Sequence, residues 1–151
     1  MSARYKMLLA VSLTAAFTYA HAQSTLGELL DAGAKKLTKE QIVSAMAGTK
    51  ITGPTSSGRA EMNIDLNTDG TLSGYLTSLQ GGSTSGTIGK WTVDTNGKAC
   101  IDERLTAWNM NHQECWFSYV LGEEYFRTVT DSEDRDTKVV KKSTTIVKKA
   151  N

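Results

Sequence analysis

The sequence predicts a mainly β protein, a small antiparallel meander curled into a barrel or a sandwich, with one or two short helices at its N-terminal end. Three observations predict this fold class. The 151 residues include 13 Gly and a single Pro, a composition typical of strands joined by tight turns. Apolar residues alternate with period two from Arg59 onward. Asp-Gly and Asn-Gly pairs separate the alternating segments, and such pairs favour hairpins.

Residues 1–22 predict a secretory signal peptide. Arg4 and Lys6 give a positive start, an apolar run of eleven residues follows, and an A-x-A site ends at Ala22. Eleven residues span about 16 Å as a helix, which is too short for a hydrocarbon core of about 30 Å. We therefore expect one exported, soluble β domain at 23–151, periplasmic or secreted, with no transmembrane segment after cleavage.

The charge of the chain argues against one class of partner. Of the 17 Lys and Arg residues, Arg4 and Lys6 lie in the predicted signal peptide, so 15 remain against 16 Asp and Glu, a net charge of −1. Binding to nucleic acid requires several clustered Lys or Arg side chains that face phosphates. We therefore expect no nucleic-acid partner. We interpret the acidic segment 131–136 as a solvated loop. The Lys-rich C-terminus is interpreted as protection of an edge strand against pairing with other chains.

Two helices are predicted ahead of the strands. The segment 25–36 places three leucines on one side, although two glycines weaken its helical tendency. Thr38 and Gln41 have the spacing of a capping box, in which each side chain satisfies a free backbone N–H group. The second helix is predicted from about Lys39 to Ala47, and we expect it to cover one end of the β structure.

The strands follow from the alternation and from the turn residues between them. The turns are expected at Asp69-Gly70 and at Asn96-Gly97, and flexible loops are expected at 80–86 and 109–113. The hairpin connections predict that each strand pairs with the next one along the chain. The predicted strands lie at or around 59–66, 72–76, 91–93, 100–101, 115–121, 125–129 and 138–148.

Candidate residues for metal binding and catalysis are sparse. Residues 65–73 match the first nine positions of a calcium loop, but Leu76 stands where the twelfth position requires a bidentate Glu. His112 is the only histidine outside the predicted signal peptide, so no histidine cluster can bind zinc, and its polar surroundings predict an exposed loop. The adjacent carboxylates Asp102 and Glu103 would point to opposite faces of a strand, so we interpret them as parts of solvated strand faces. We expect no metal, no cofactor and no catalytic residue.

Aromatic side chains are the candidate ligand contacts. Trp91, Trp108 and Trp116 lie within 26 residues, and such rings combine a large apolar area with a polar tip. Trp108 stands near Asn and Thr residues, which favours an exposed ring. With His112 and Tyr75 it forms the predicted binding set. For the aromatic rings as a group, however, the favoured interpretation is that they fill the core of a small barrel.

Cys100 and Cys115 are predicted to form a disulfide. Two cysteines in an exported chain meet an oxidising compartment, and they allow only one intramolecular pairing. Both lie on successive predicted strands, which can bring them within the Cα spacing of about 5.5 Å that a bridge needs. The bridge would tie down segment 104–113, which carries Trp108 and His112. Two buried free thiols are the alternative.

Four sequence motifs resemble a known family. The segments LTKEQIVSAMAGT, DGTLSG, GKWTVDTNGKACI and ECW, spread over residues 37–125, are similar to small exported proteobacterial proteins grouped as the domain of unknown function 995. The resemblance implies a periplasmic protein with a lipocalin-like or similar small β fold. It implies no activity, because that family has no established catalytic residues. The acidic segment 131–136 departs from the usual pattern of the family.

Three classes of function are compatible with these residues. The first is a non-enzymatic periplasmic binding or accessory protein for an unknown small ligand or protein. The alternative is a proteinaceous inhibitor or immunity protein that blocks a periplasmic hydrolase with a loop preorganised by a disulfide. The third is an enzyme. A deep apolar pocket would favour the first class, a rigid loop with an exposed Trp108 the second, and converging buried carboxylates the third.

Overall fold

Antiparallel strands form a single sheet that curls into a half-barrel. The computed structural model describes residues 24–55, 57–141 and 145–148, the last four through their backbone alone. The predicted signal peptide lies outside these residues. Within them the sheet has ten strands, and two short helices precede the long strands. The predicted fold class, mainly β with short N-terminal helices, is therefore confirmed.

The secondary structure begins with α1 (Leu26–Asp31), β1 (Lys35–Lys36) and α2 (Lys39–Met46). Nine strands of 3 to 12 residues then follow to the end of the described chain. They are β2 (Thr49–Pro54), β3 (Ala60–Leu66), β4 (Thr71–Ser78), β5 (Thr84–Val93), β6 (Lys98–Leu105), β7 (Met110–Leu121), β8 (Glu124–Thr128), β9 (Val139–Lys141) and β10 (Thr145–Lys148).

Capping boxes start both helices. The Thr38 hydroxyl accepts a hydrogen bond from the Gln41 N–H at 3.3 Å, and the Gln41 side chain accepts one from the Thr38 N–H at 2.9 Å, as the sequence predicts. Thr25 and Glu28 form a second box, which the sequence analysis did not identify. The first helix is shorter than predicted because it ends at Asp31, and part of the predicted helix 25–36 is strand β1.

The sheet order is β10-β2-β3-β4-β5-β6-β7-β8-β9, and β1 pairs with β7 beside this path. From β2 to β9 each strand pairs with its successor, as a meander should. The single final strand predicted at 138–148 is wrong, because this segment forms two strands on opposite edges of the sheet. Lys141 and Thr145 are four positions apart, so their Cα atoms lie within about 15 Å. The two edges therefore approach each other, and we call this region the seam.

Two further strands differ from the sequence-based prediction for one physical reason, the absence of large apolar side chains. Strand β2 carries Ile51 as its one large apolar residue, so no period-two signal predicts it. Strand β5 begins at Thr84, inside the predicted flexible loop 80–86. Its first inward positions are Ser85 and Thr87, which are buried but small and polar. Alternation of hydrophobicity cannot reveal a strand whose buried face is polar.

Glycine allows the sheet to curl tightly at two places. A Cβ atom on Gly74 would lie 2.1 Å from the carbonyl oxygen of Asn63, and one on Gly89 would lie 2.1 Å from that of Asp102. Both distances are far below van der Waals contact, so only glycine permits these close approaches between neighbouring strands. Gly74 and Gly89 lie within the central strands β4 and β5.

Two apolar clusters lie on opposite faces of the sheet, and β7 contributes to both. On β7, Trp116 packs inward, whereas Phe117 and Tyr119 pack outward beneath α1. The buried residues of the inner cluster are Ile42, Met46, Ala60, Ile64, Leu66, Leu72, Leu76, Trp91, Val93, Ala99, Leu105 and Trp116. Those of the outer cluster are Leu26, Leu29, Phe117, Tyr119, Phe126 and Val139.

The predicted disulfide between Cys100 and Cys115 is confirmed. The two residues stand directly opposite each other on β6 and β7, with their Cα atoms 4.1 Å apart. Their neighbours Ala99 and Trp116 belong to the inner cluster. Because side chains alternate along a strand, the bridge lies on the outer, convex face of the half-barrel.

Candidate functional site

The concave side of the half-barrel holds a cavity with two lobes. The seam lobe measures about 230 Å³ and is bordered by Met46, Ile51, Trp116, Arg127 and Lys141, among others. The histidine lobe measures about 370 Å³ and is bordered by Arg59, Glu103, Trp108 and His112, among others. The two lobes lie side by side, because five residues border both of them. The shared residues are Thr55, Met62, Ile64, Ile101 and Glu114.

A buried carboxylate and an imidazole face each other in the histidine lobe. Glu103 on β6 pairs in register with His112 on β7, and Glu103 is only 3% exposed. The Thr87 hydroxyl donates a hydrogen bond to Oε2 of Glu103 at 2.5 Å. Nδ1 of His112 lies 3.0 Å from Oε1 of the same carboxylate. Since a carboxylate only accepts, the proton of this bond belongs to Nδ1, and Nε2 is left as the second ring nitrogen.

The environment of His112 favours its charged form. The hydrogen bond to Glu103 raises the pKa of His112 above its ordinary value of 6.5, and the negative charges of Glu103 and Glu114 add to this effect. Partial burial of the ring opposes the rise without cancelling it. His112 thus has a larger imidazolium fraction at neutral pH than a free histidine.

A second charged pair lies at the junction of the lobes. Nη2 of Arg127 is 3.2 Å from Oε1 of Glu114, and both side chains are largely buried. The Arg127 guanidinium stands 5.1 Å from the ring centre of Trp116, in a cation–π arrangement. Lys141, on the neighbouring strand β9 at the border of the seam lobe, forms an ion pair with Glu124. Polar groups are thus fixed at defined points of an otherwise apolar cavity.

Two of the three predicted binding residues come together, and the third does not. Trp108 and His112 both border the histidine lobe. Tyr75 is 48% exposed, while its neighbours Gly74 and Leu76 occupy inward positions, so Tyr75 faces outward from β4 and away from the cavity. Trp108 is half-buried and packs against the inner cluster, so the expected exposed ring is not observed.

The prediction that His112 lies in a loop is wrong, although its side chain is 41% exposed. Strand β7 begins at Met110, and His112 occupies an inward-facing position on it. The segment 109–113 is mostly polar, and polar residues without apolar alternation favour a loop over a strand. Met110, His112, Glu114 and Trp116 all border the cavity, so the alternation is present but carried largely by polar residues.

Sequence reasoning also missed most of the charged residues at the site. Glu103 was interpreted as part of a solvated strand face, yet it is buried between Thr87 and His112. One signal could have found it, since Ala99, Ile101, Glu103 and Leu105 share one face of β6 and the other three are apolar. No comparable local signal identifies Arg59, Glu114 or Arg127, because their proximity depends on how the sheet curls.

The calcium-like segment forms the tight turn between β3 and β4. The Asp69 carboxylate accepts hydrogen bonds from the Thr71 N–H at 2.9 Å and from the Thr71 hydroxyl at 2.7 Å. These bonds lower the pKa of Asp69. Over the described part of the chain, no group of three His, Cys, Asp or Glu side chains is arranged to hold a metal ion.

The fold and the site together define an antiparallel half-barrel with an internal, mainly apolar cavity that contains fixed charges. A comparison with protein-family models, with curated proteins and with solved structures finds no match for this chain. The resemblance to the domain of unknown function 995 therefore stays a prediction that rests on its four motifs.

Proposed function

We propose that this protein is an exported, non-enzymatic binding protein that holds a small, largely apolar ligand in its two-lobed cavity. The cavity is the observation that carries this proposal. Ligand sites are typically concave, apolar and equipped with a few convergent polar groups. Met62, Ile64 and Ile101 supply the apolar wall common to both lobes, and Glu103 with His112 supplies a polar pair.

The disulfide supports the proposed location. Cysteine pairs persist in oxidising compartments and are rare in the reducing cytosol. Together with the predicted signal peptide, the bridge between Cys100 and Cys115 supports a periplasmic or secreted protein. In the part of the chain that the structure describes, no helix has the length and apolar character needed to cross a bilayer.

The competing functions receive less support from the site. An inhibitor with a projecting loop needs an exposed anchor, but Trp108 at the β6–β7 turn is half-buried against the inner cluster. An enzyme with two acidic groups needs carboxylates that are free to act on a substrate. Glu103 and Glu114 both border the cavity, but each is paired with a basic side chain, His112 or Arg127.

Binding of a neutral apolar dye tests this proposal directly. We expect Nile red to bind saturably to the purified protein with a rise in its fluorescence, because the cavity replaces water around the dye. Met62 borders both lobes, so Met62→Trp should fill the shared wall and weaken binding at least about tenfold.

Leu79→Trp is the matched control, because Leu79 is 57% exposed and borders neither lobe. This variant should bind the dye like the unaltered protein. Circular dichroism should confirm that both variants fold. Non-saturable binding, or equal loss of binding in the two variants, would refute a ligand site inside the half-barrel.

A further inference from the structure

We propose that the cavity selects an amphipathic anion, a monocarboxylate with an apolar tail, whose head group lies between Arg59 and Nε2 of His112. The tail would extend along the shared wall toward the seam lobe. This inference rests on the proposed binding function and adds the chemical class of the ligand. Three observations carry it, namely the pairing of charges around the cavity, the orientation of the imidazole and the placement of the apolar wall.

Charge pairing leaves one cation available at the histidine lobe. Glu103 is held by Thr87 and His112, and Glu114 by Arg127. Arg59 also borders this lobe, and among the described residues no carboxylate pairs with its guanidinium. An arginine fork binds a carboxylate with two parallel hydrogen bonds. The lobe thus offers a site for one negative charge.

His112 adds a second donor to the same lobe. Its Nδ1 is engaged by Glu103, so Nε2 is the nitrogen that remains for a ligand. The charged groups that border this lobe with it are Glu103 on β6, Glu114 on β7 and Arg59 ahead of β3. The two carboxylates favour the imidazolium form, in which Nε2 also carries a proton and can donate to an anion.

The apolar wall determines where the tail can lie. Met62, Ile64 and Ile101 connect the histidine lobe to the seam lobe, where Met46 and Ile51 continue the apolar lining. The cations of the seam lobe, Arg127 and Lys141, are already paired with Glu114 and Glu124. The head group is therefore favoured at the histidine lobe and the tail at the seam lobe.

Three probes with the same alkyl chain and different head groups test this inference. Laurate, dodecanol and dodecyltrimethylammonium should each compete with Nile red, and laurate should bind about tenfold more tightly than the cationic probe. Equal affinities for all three would overturn the proposed anion site and leave the binding function intact. If Nile red itself fails to bind saturably, the proposed binding function is refuted together with this inference.

Single variants locate the head group. Arg59→Gln should weaken laurate about fivefold and leave dodecanol unchanged, because only the charged head contacts the guanidinium. Lys90→Gln removes the same charge from an exposed position on β5 outside both lobes and should leave both affinities unchanged. Equal effects of the two variants on laurate would mean that overall charge, and not a site, attracts the anion.

A pH series on the unaltered protein tests the role of His112 without disturbing the fold. From about pH 6 to about pH 9, laurate affinity should fall as His112 loses its proton, while dodecanol affinity stays constant. The raised pKa of His112 places this fall above the pH at which an ordinary histidine titrates. A laurate affinity that does not change over this range would remove His112 from the proposed head-group site.

Discussion

The inner and outer apolar clusters share strand β7, yet they are built for different tasks. In the outer cluster, helix α1 covers the sheet, and Leu26 and Leu29 are almost completely buried against it. The inner cluster lies on the concave face of the half-barrel, where a cavity remains. The buried carboxylate of Glu103 borders this cavity. The comparison teaches that a face closely covered by a helix contributes packing, whereas the inner face, where Ile42 and Met46 are the buried residues of α2, leaves space that can hold a ligand.

The polar contacts of the outer cluster lie at its boundary, outside the apolar packing. The Tyr119 hydroxyl lies 3.2 Å from Glu133, and Lys36 forms an ion pair with the same carboxylate at 2.6 Å. Burial and the charge of Glu133 raise the pKa of Tyr119. These groups meet at the rim of the outer cluster, whereas Glu103 and His112 meet inside the cavity of the inner one.

The largest expected effect comes from removing packing from the outer cluster. Leu29→Ala should lower the free energy of unfolding by about 2–5 kcal/mol, because Leu29 is fully buried and its loss leaves a void. Met62→Ala on the cavity wall should cost less, because that side chain already borders empty space. Urea unfolding measures both, and Nile red binding should change only in Met62→Ala. Equal losses of stability in Leu29→Ala and Met62→Ala would contradict the proposed difference between the two clusters.

Removing the disulfide should have the next largest effect. The bridge joins residues separated by 15 positions, and loop closure of that size contributes about 3 kcal/mol in the chain-entropy model. Replacing both Cys100 and Cys115 by Ser should therefore lower the midpoint of thermal unfolding by several degrees or more. Dye binding should persist, since the bridge lies on the convex face. Loss of binding in a folded double variant would show that the bridge also shapes the cavity.

The two capping boxes offer a smaller and sharper test. Thr25→Ala and Thr38→Ala should each cost about 1 kcal/mol, because each removes the acceptor for an N–H group in the first turn of a helix. The consequences for binding should differ. Helix α2 carries Met46 on the wall of the seam lobe, so only Thr38→Ala should weaken Nile red binding. An identical effect of both variants on dye affinity would contradict the separation of the clusters.

The smallest effect concerns pH. Because the folded protein raises the pKa of His112, the stabilisation from its charged form is complete below about pH 6.5 and is lost as pH rises through the folded value. His112→Gln should flatten this part of the stability profile, and the exposed variant Lys90→Gln should not. Denaturant midpoints measured across the range provide the check. A profile unchanged in His112→Gln would mean that Glu103 and His112 are not coupled.

The parts of the fold that the sequence predicts are those with local signals. The helix caps at Thr38 and Gln41, the hairpin turns and the strands with apolar alternation all depend on neighbours in sequence. The disulfide was predictable because two cysteines allow one pairing. Strand β10 was not predicted as a separate strand. The sequence of segment 138–148 shows no local break at which the chain would change from pairing with β8 to pairing with β2.

The candidate site was less predictable because its residues meet through tertiary curvature. Trp108 and His112 were selected for their chemistry and do share a lobe, but Tyr75 was selected in the same way and faces outward. Whether a side chain faces inward or outward depends on the register of its strand. The polar residues of β7 give no clear apolar alternation from which that register could be predicted. The burial of Glu103 required both the register of β6 and the position of Thr87 on the neighbouring strand.

The placement of β9 and β10 on opposite edges also has a consequence for the entropy of closing the sheet. Every pair from β2–β3 to β8–β9 joins strands adjacent in sequence and closes a short loop. Strand β10 instead pairs Thr145 with Thr52, across most of the domain, and closing so long a loop costs more entropy than closing a hairpin. We therefore expect the backbone amide protons of β10 to exchange sooner than those of the central strands, and a ligand held in the seam lobe to slow this exchange.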